Sequence, residues 1–196
     1  MSTLVLATTN RGKLVEFARL LGARFGAYKT LADFDLPAPD ETGATYRANA
    51  ELKARACAQA TGLPSLADDS GLEVAALDGA PGLHSARYAG DSSSRIERVL
   101  SELHAREAAG PRDRAAKFVC VVAYAEPAGS IHTFAAECPG TIIDDPRGAA
   151  GFGYDPIFLV TALSRTMAEL TPEQKDRVSH RGQALAAFTA WFDARA

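Results

Sequence analysis

Apolar and polar positions alternate along this chain in blocks that read as strand, polar loop and helix. Thr3-Leu4-Val5-Leu6-Ala7 is a short apolar run of strand type, followed by a polar loop. Asn10 offers a helix cap, and Leu14, Phe17, Ala18 and Leu21 recur at helical spacing before Gly22, so a first helix is predicted between those two residues. The proline- and acid-rich stretch 36–43 predicts a loop, and the helix-forming composition of 45–60 predicts a second helix, stopped by Gly62 and Pro64. Leu66-Ala67 predicts a short strand closing on Asp68-Asp69-Ser70-Gly71, with another apolar run over 72–77. Residues 78–90 predict a loop, and Ile96, Val99, Leu100 and Leu103 mark a third helix. The apolar stretch 118–125 predicts a strand, which Glu126-Pro127-Ala128-Gly129 turns into a hairpin partner over 130–137. A short strand over 140–143 and a glycine-rich loop over 144–153 follow. Thr171-Pro172-Glu173-Gln174 is a capping box with proline at the first helical position, and Leu185, Phe188 and Phe192 stripe the last helix. With no internal repeat and no low-complexity linker, the pattern predicts a single α/β domain over 1–196.

Composition narrows the possible partners. The chain has 196 residues, 47% apolar and 23% charged, which suits a packed core and excludes a disordered chain. A net charge of −3 argues against a nucleic-acid-binding surface, since that requires a basic face, but it leaves room for a few cations around a phosphorylated small molecule. Cys57, Cys120 and Cys138 form no paired motif and lie in apolar surroundings, so they read as buried thiols of a reducing compartment. No stretch approaches membrane-spanning length and no secretory leader pattern opens the chain, so a soluble cytoplasmic protein with no membrane partner is expected.

Several segments carry candidate chemistry. Thr8-Thr9-Asn10-Arg11-Gly12-Lys13 sits between strand and helix, where free backbone N–H groups and the helix dipole favour an anion. A plain capped helix accounts for the same residues. The segment is not a Walker A loop: Ala7 stands at the first glycine and Leu14 at the Ser or Thr that would bind magnesium. Tyr46, Asn49 and Lys53 share one face of the second helix, either a solvated face or an amide and a cation meeting phosphate. The adjacent acids Asp68-Asp69 repel unless a divalent cation joins them, and acid oxygens without Cys or His favour magnesium or manganese. A structural Asp/Ser turn is the competing reading. Gly151-Phe152-Gly153-Tyr154-Asp155 places aromatics between glycines, suited to stacking a flat base or to core packing. Lys175 and Ser179-His180-Arg181-Gly182 add donors near a helix start. His84, His104 and His132 show no metal-ligand spacing, and Asp144-Asp145 reads as a second acidic pair or as solvated loop.

Six blocks in order carry a resemblance: LATTNRGK at 6–13, ETGATYRANAELKARA at 41–56, LADDSGLEV at 66–74, GAPGLHSARYAG at 79–90, GFGYDPIF at 151–158 and SHRGQAL at 179–185. Through them the chain resembles the inosine/xanthosine triphosphate pyrophosphatases, hydrolases that remove aberrant purine nucleotides from the nucleotide pool. The resemblance implies a long mixed β-sheet flanked by helices in two lobes, with the active-site cleft between them, in a homodimer. It implies a cut between the α and β phosphates of ITP, dITP or XTP, with Mg2+ as cofactor and Mn2+ as a substitute. By motif, Thr8, Thr9, Asn10, Arg11, Gly12, Lys13, Lys53 and Ser70 correspond to phosphate-binding residues, with Lys175 also facing the nucleotide. Glu41 and Asp69 correspond to the metal site, Asp69 also to the proton acceptor, and Phe152, Gly153, Tyr154, Asp155, His180 and Arg181 to the base pocket. Thr9 stands where many members have glycine and Tyr154 where some have tryptophan, differences that bear on the fit of phosphate and base.

Overall fold

The computed structural model describes residues 3–106 and 113–195. Seven strands form one mixed sheet in the order β2-β1-β3-β4-β5-β6-β7. They are β1 (Thr3–Leu6), β2 (Ala27–Thr30), β3 (Ser65–Val74), β4 (Ala115–Ala125), β5 (Ile131–Ile142), β6 (Phe158–Val160) and β7 (Arg165–Thr166). β1 runs parallel to β2 and β3, whereas β6 is antiparallel to both β5 and β7. Among the described residues five α-helices accompany them: α1 (Arg11–Leu21), α2 (Tyr46–Thr61), α3 (Ser92–Ala105), α4 (Pro172–Val178) and α5 (His180–Asp193). Long mixed sheet and flanking helices are thus as expected.

The chain divides into two compact units. The first comprises Met1–Asp69, Cys120–Ala136 and Arg181–Ala196, the second Ser70–Val119 and Glu137–His180. In the first unit the pleat of the strands sorts residues onto two cores. Leu4, Leu6, Leu66, Cys120, Val122 and Tyr124 pack with Phe17 and Leu21 of α1 and with Leu185 and Phe188 of α5. Their neighbours in sequence, Val5, Ala7, Ala67, Val121, Ala123 and Ala125, pack with Ala50, Ala54, Cys57 and Ala58 of α2. Alanines make up most of this contact on both sides. In the second unit, Leu72, Val74, Phe118, Ile142, Ile157 and Phe158 gather around Val99 and Leu103 of α3.

Two strands run further than local composition suggests. Asp68-Asp69-Ser70-Gly71, expected to end a short strand, lies inside the ten-residue β3. Charge does not interrupt the strand because each carboxylate finds cations or an amide on its own face. The expected strands over 130–137 and 140–143 are likewise one strand, β5, which continues through Pro139 and Gly140. Gly140 is required there by packing: a Cβ would lie 2.5 Å from the Leu159 carbonyl oxygen and from the Phe158 ring of β6. All three cysteines are buried as free thiols.

Candidate active site

Alternation along β3 decides what the two adjacent acids do. Leu66 belongs to the α1/α5 face and Ala67 to the α2 face, so Asp68 and Asp69 project onto opposite sides of the sheet. Their nearest partners therefore differ. Asp68 is 1% exposed, and its Oδ1 lies 3.0 Å from Lys13 Nζ. Its Oδ2 accepts from Arg181 Nε and Nη2 at 3.1 and 3.0 Å. Burial alone would raise this carboxyl's pKa, but Lys13, Arg181 and Lys53 outweigh it and hold the group well below the usual carboxylate range.

Asp69 meets a different set on the α2 side. Its Oδ2 accepts from Asn49 Nδ2 at 2.9 Å, and its Oδ1 lies 3.9 Å from Lys53 Nζ. Lys53 Nζ in turn donates to Glu41 Oε1 at 2.6 Å, so one ammonium stands between two carboxylates. Burial raises the Asp69 pKa first of all; Lys53 and Asn49 pull it down, Glu41 pushes it up again, and the net direction is upward. Lys53 is placed by helical geometry, one turn after Asn49 on the same face. Two oxygen-only carboxylates converging on a single cation fit a hard divalent ion such as magnesium. Among the described residues no group of three or more His, Cys, Asp or Glu could hold a metal, so a bound ion would draw its remaining ligands from phosphate oxygens and water.

Asn49 is the site residue that motif reasoning left unassigned, although its helical face was recognised. Its Oδ1 accepts the Gly43 N–H at 2.7 Å while its Nδ2 donates to Asp69, and only one amide orientation satisfies both. The amide thereby links the Glu41 loop to Asp69. Gly43 leaves it no spare room: a Cβ would lie 2.7 Å from Asn49 Oδ1 and 2.8 Å from the Ala48 Cβ. Gly43→Ala is therefore expected to destabilise the protein by about 1–3 kcal/mol and to lower turnover, because the amide must shift off Asp69. Thermal unfolding and turnover of the purified variant check this. Wild-type values for both would show that the amide link is unimportant.

The loop before α1 is an exposed helix start. Asn10 caps α1 by accepting from Lys13 N at 3.2 Å, and its own N–H donates to Thr8 Oγ1 at 3.2 Å. Thr9, Asn10 and Arg11 are exposed and Gly12 half-buried, and a helix start of this kind favours an anion.

In the second unit the aromatic-glycine loop folds around Asp155, which is 4% exposed. Its Oδ2 accepts from the Phe152 N–H at 2.8 Å and from Lys175 Nζ at 2.6 Å. Gly151 must be glycine there, since a Cβ would lie 2.0 Å from that same oxygen and φ is +77°. The ammonium also sits 5.1 Å from the centre of the Phe152 ring. Tyr154, expected to stack a base beside Phe152, is instead buried in the α3 core with its hydroxyl donating to the Ser85 carbonyl at 3.0 Å. Phe152, by contrast, is half-buried. His180 stacks on Phe118, with ring centres 4.7 Å apart and planes within 13°. Gly153 adopts φ +63°, a turn conformation in which glycine is favoured. Ser70 is half-buried on β3, directly after Asp69.

Arg181, expected to read the base, gives its guanidinium to the first unit's interior. Besides Asp68 it donates through Nη1 to Glu16 Oε2 at 2.7 Å, and it is 3% exposed. Sequence spacing cannot reveal such a partner, because Glu16 and Arg181 are 165 residues apart. Asp144, one of the loop acids, pairs with His104 and Arg114, each at 2.8 Å.

These observations define an α/β protein with an exposed, capped loop at a helix start, a lysine between two carboxylates and an aromatic-glycine loop beside a second lysine. The chain belongs to the Ham1 family, which it matches over residues 4–191. It is 51% identical over 185 residues to a dITP/XTP pyrophosphatase of Rhodospirillum centenum, covering 93% of this chain and 90% of that protein. It is 49% identical over 190 residues to one of Geobacter sulfurreducens, covering 95% of this chain and 94% of the relative. Among solved structures, a HAM1 protein from Coxiella burnetii superposes with a TM-score of 0.88 at 42% identity, covering 99% of this chain and all of the other. A nucleoside-triphosphatase described as dITP/XTP pyrophosphatase from Mycobacterium abscessus gives 0.73 at 41% identity, covering 95% of this chain and 98% of that one.

Proposed function

We propose that this chain hydrolyses dITP, ITP and XTP to the nucleoside monophosphate and pyrophosphate, clearing them from the nucleotide pool. The observation that carries the reading is Asp69, a buried carboxylate oriented by Asn49 and faced by Lys53 and Glu41. It occurs in a chain about half identical to proteins named for that activity.

In this mechanism the N–H groups of 8–13, Lys13, Lys53 and the Ser70 hydroxyl take the phosphates, and the two ammonium groups balance charge that develops on the leaving pyrophosphate. Asp69 accepts the proton of a water whose oxygen bonds to the α phosphorus. The bond from that phosphorus to the bridging oxygen breaks, and pyrophosphate carries the oxygen away. Its raised pKa makes Asp69 a better acceptor than an ordinary surface carboxylate. Glu41 and Asp69 would hold magnesium, or manganese in its place, which when bound neutralises phosphate oxygens and makes phosphorus easier to attack.

Phe152 supplies the stacking face for the base. Lys175, held by Asp155 beside that ring, offers a donor that suits the six-carbonyl of hypoxanthine or xanthine and opposes the six-amino group of adenine. Phe152→Ala is expected to raise KM for ITP roughly tenfold with a smaller change in kcat. Initial-rate kinetics decide it, and an unchanged KM would move stacking elsewhere.

The family likeness also supports a homodimer working in the cytoplasm. No described helix is long and apolar enough to cross a membrane. A single-chain mass by light scattering would reject the dimer. The activity itself is tested by incubating the protein with Mg2+ and dITP, XTP, dATP, dGTP or dUTP, measuring pyrophosphate and orthophosphate separately. Pyrophosphate from dITP and XTP, with none from dATP and none from any nucleotide in excess EDTA, is the expected result. Orthophosphate, or no product, rejects the reading.

A further inference from the structure

The block GAPGLHSARYAG at 79–90 has no part in the chemistry so far, yet one of its residues meets both ends of the second unit's machinery. Ser85 lies in a 3-10 turn, Gly82–Arg87, and is 7% exposed. Its Oγ accepts the N–H of Leu72 at 2.8 Å and donates to the Gly82 carbonyl at 2.6 Å. Its carbonyl accepts the Tyr154 hydroxyl at 3.0 Å. Leu72 is fully buried on β3, two residues past Ser70, and Tyr154 is two residues past Phe152. The turn itself is anchored to α3, since Arg95 donates to the Ala86 carbonyl and Arg98 Nη1 donates to the Tyr88 carbonyl at 2.7 Å.

We propose that Ser85 is a positioning residue that ties the aromatic-glycine loop to strand β3 by holding the Tyr154 hydroxyl. The inference rests on the proposed base-binding role of Phe152. A five-residue loop with glycines at 151 and 153, both at positive φ, has little backbone stiffness of its own. Asp155 fixes its Phe152 N–H from inside, and the Tyr154 hydroxyl fixes its far end to a turn that is itself hydrogen-bonded to β3. Burial pushes the Tyr154 pKa up to about 12, so the hydroxyl stays a donor throughout the working pH range. A Ser85 that served only its own turn would have no reason to affect residues 151–155.

Two variants separate these readings. Ser85→Ala removes both Oγ bonds and keeps the carbonyl, whereas Tyr154→Phe removes only the bond between turn and loop. Amide hydrogen exchange over 151–155 is expected to speed up roughly three- to tenfold in each, with a rise in KM for ITP of similar size and kcat less affected. Because the bonds lie in one chain, the double variant should fall short of the product of the single effects. Exchange over 151–155 unchanged from wild type in Tyr154→Phe and in Ser85→Ala, each shown folded by thermal unfolding, overturns the proposal. So do effects that simply multiply in the double variant. The exchange measurement needs no turnover, so it judges Ser85 even if the wild type releases no pyrophosphate from ITP. That last outcome would count against the proposed function alone.

Discussion

Asp69→Asn is expected to reduce pyrophosphate release from ITP by about a hundredfold or more, with the fold intact. Asparagine is nearly isosteric and keeps one oxygen, so the strand and the packing of α2 against it have no steric reason to change. What it loses is charge and basicity. It cannot accept a proton from water, it answers the Lys53 ammonium weakly, and it is a poorer ligand for a hard cation. Its one oxygen can still accept from Asn49 Nδ2, which now donates to Asp69 Oδ2 at 2.9 Å, but the amide NH2 then points toward the Lys53 side. Single-turnover kinetics at saturating ITP, with circular dichroism to verify folding, measure the loss. A variant that turns over near the wild-type rate would remove Asp69 from both the proton-accepting and the metal-holding role. Restoration by excess manganese would assign most of the loss to metal holding.

The second large effect is on stability. Asp68→Asn should destabilise the protein by about 3 kcal/mol or more, lowering Tm by roughly 6–12 °C. Asp68 faces half-buried Lys13 and buried Arg181, and removing its charge leaves both cations less well compensated. The pH dependence follows from the sign of the shift. The folded-state pKa of Asp68 lies below its unfolded value, so its contribution is complete above about pH 4 and is lost as pH falls toward the folded pKa. The Tm gap between wild type and variant should therefore narrow on acidification below that point. A gap of the same size at pH 3 and pH 7 would mean that the carboxylate charge is not what stabilises the folded chain.

Much of the site was legible in the chain order. Asn10 announces the helix start that presents the N–H groups of 8–13, because capping preference and apolar spacing are local properties. The shared face of Asn49 and Lys53 follows from helix period alone. Phe152 between glycines marks a loop with an aromatic to offer, and the six blocks supply a family. Local pattern was less reliable at Asp68-Asp69, where two adjacent charges looked like the end of a strand. A strand's period of two places them on opposite faces, but only their partners from distant segments make that position tolerable in the middle of β3.

The sequence by itself determined where helices begin, which helix face Asn49 and Lys53 share, and to which family the chain is related. Those properties depend on residue type and short spacing. The tertiary structure alone decided how the polar groups are used. It assigned Asp68 to Lys13 and Arg181, Asp69 to Asn49 and Lys53, Asp155 to the Phe152 N–H and Lys175, and the Tyr154 hydroxyl to Ser85. Such choices rest on contacts between residues as many as 113 positions apart. Direct interactions of charges and hydrogen-bonding groups act over a few ångströms in space, and separation along the chain does not encode that distance.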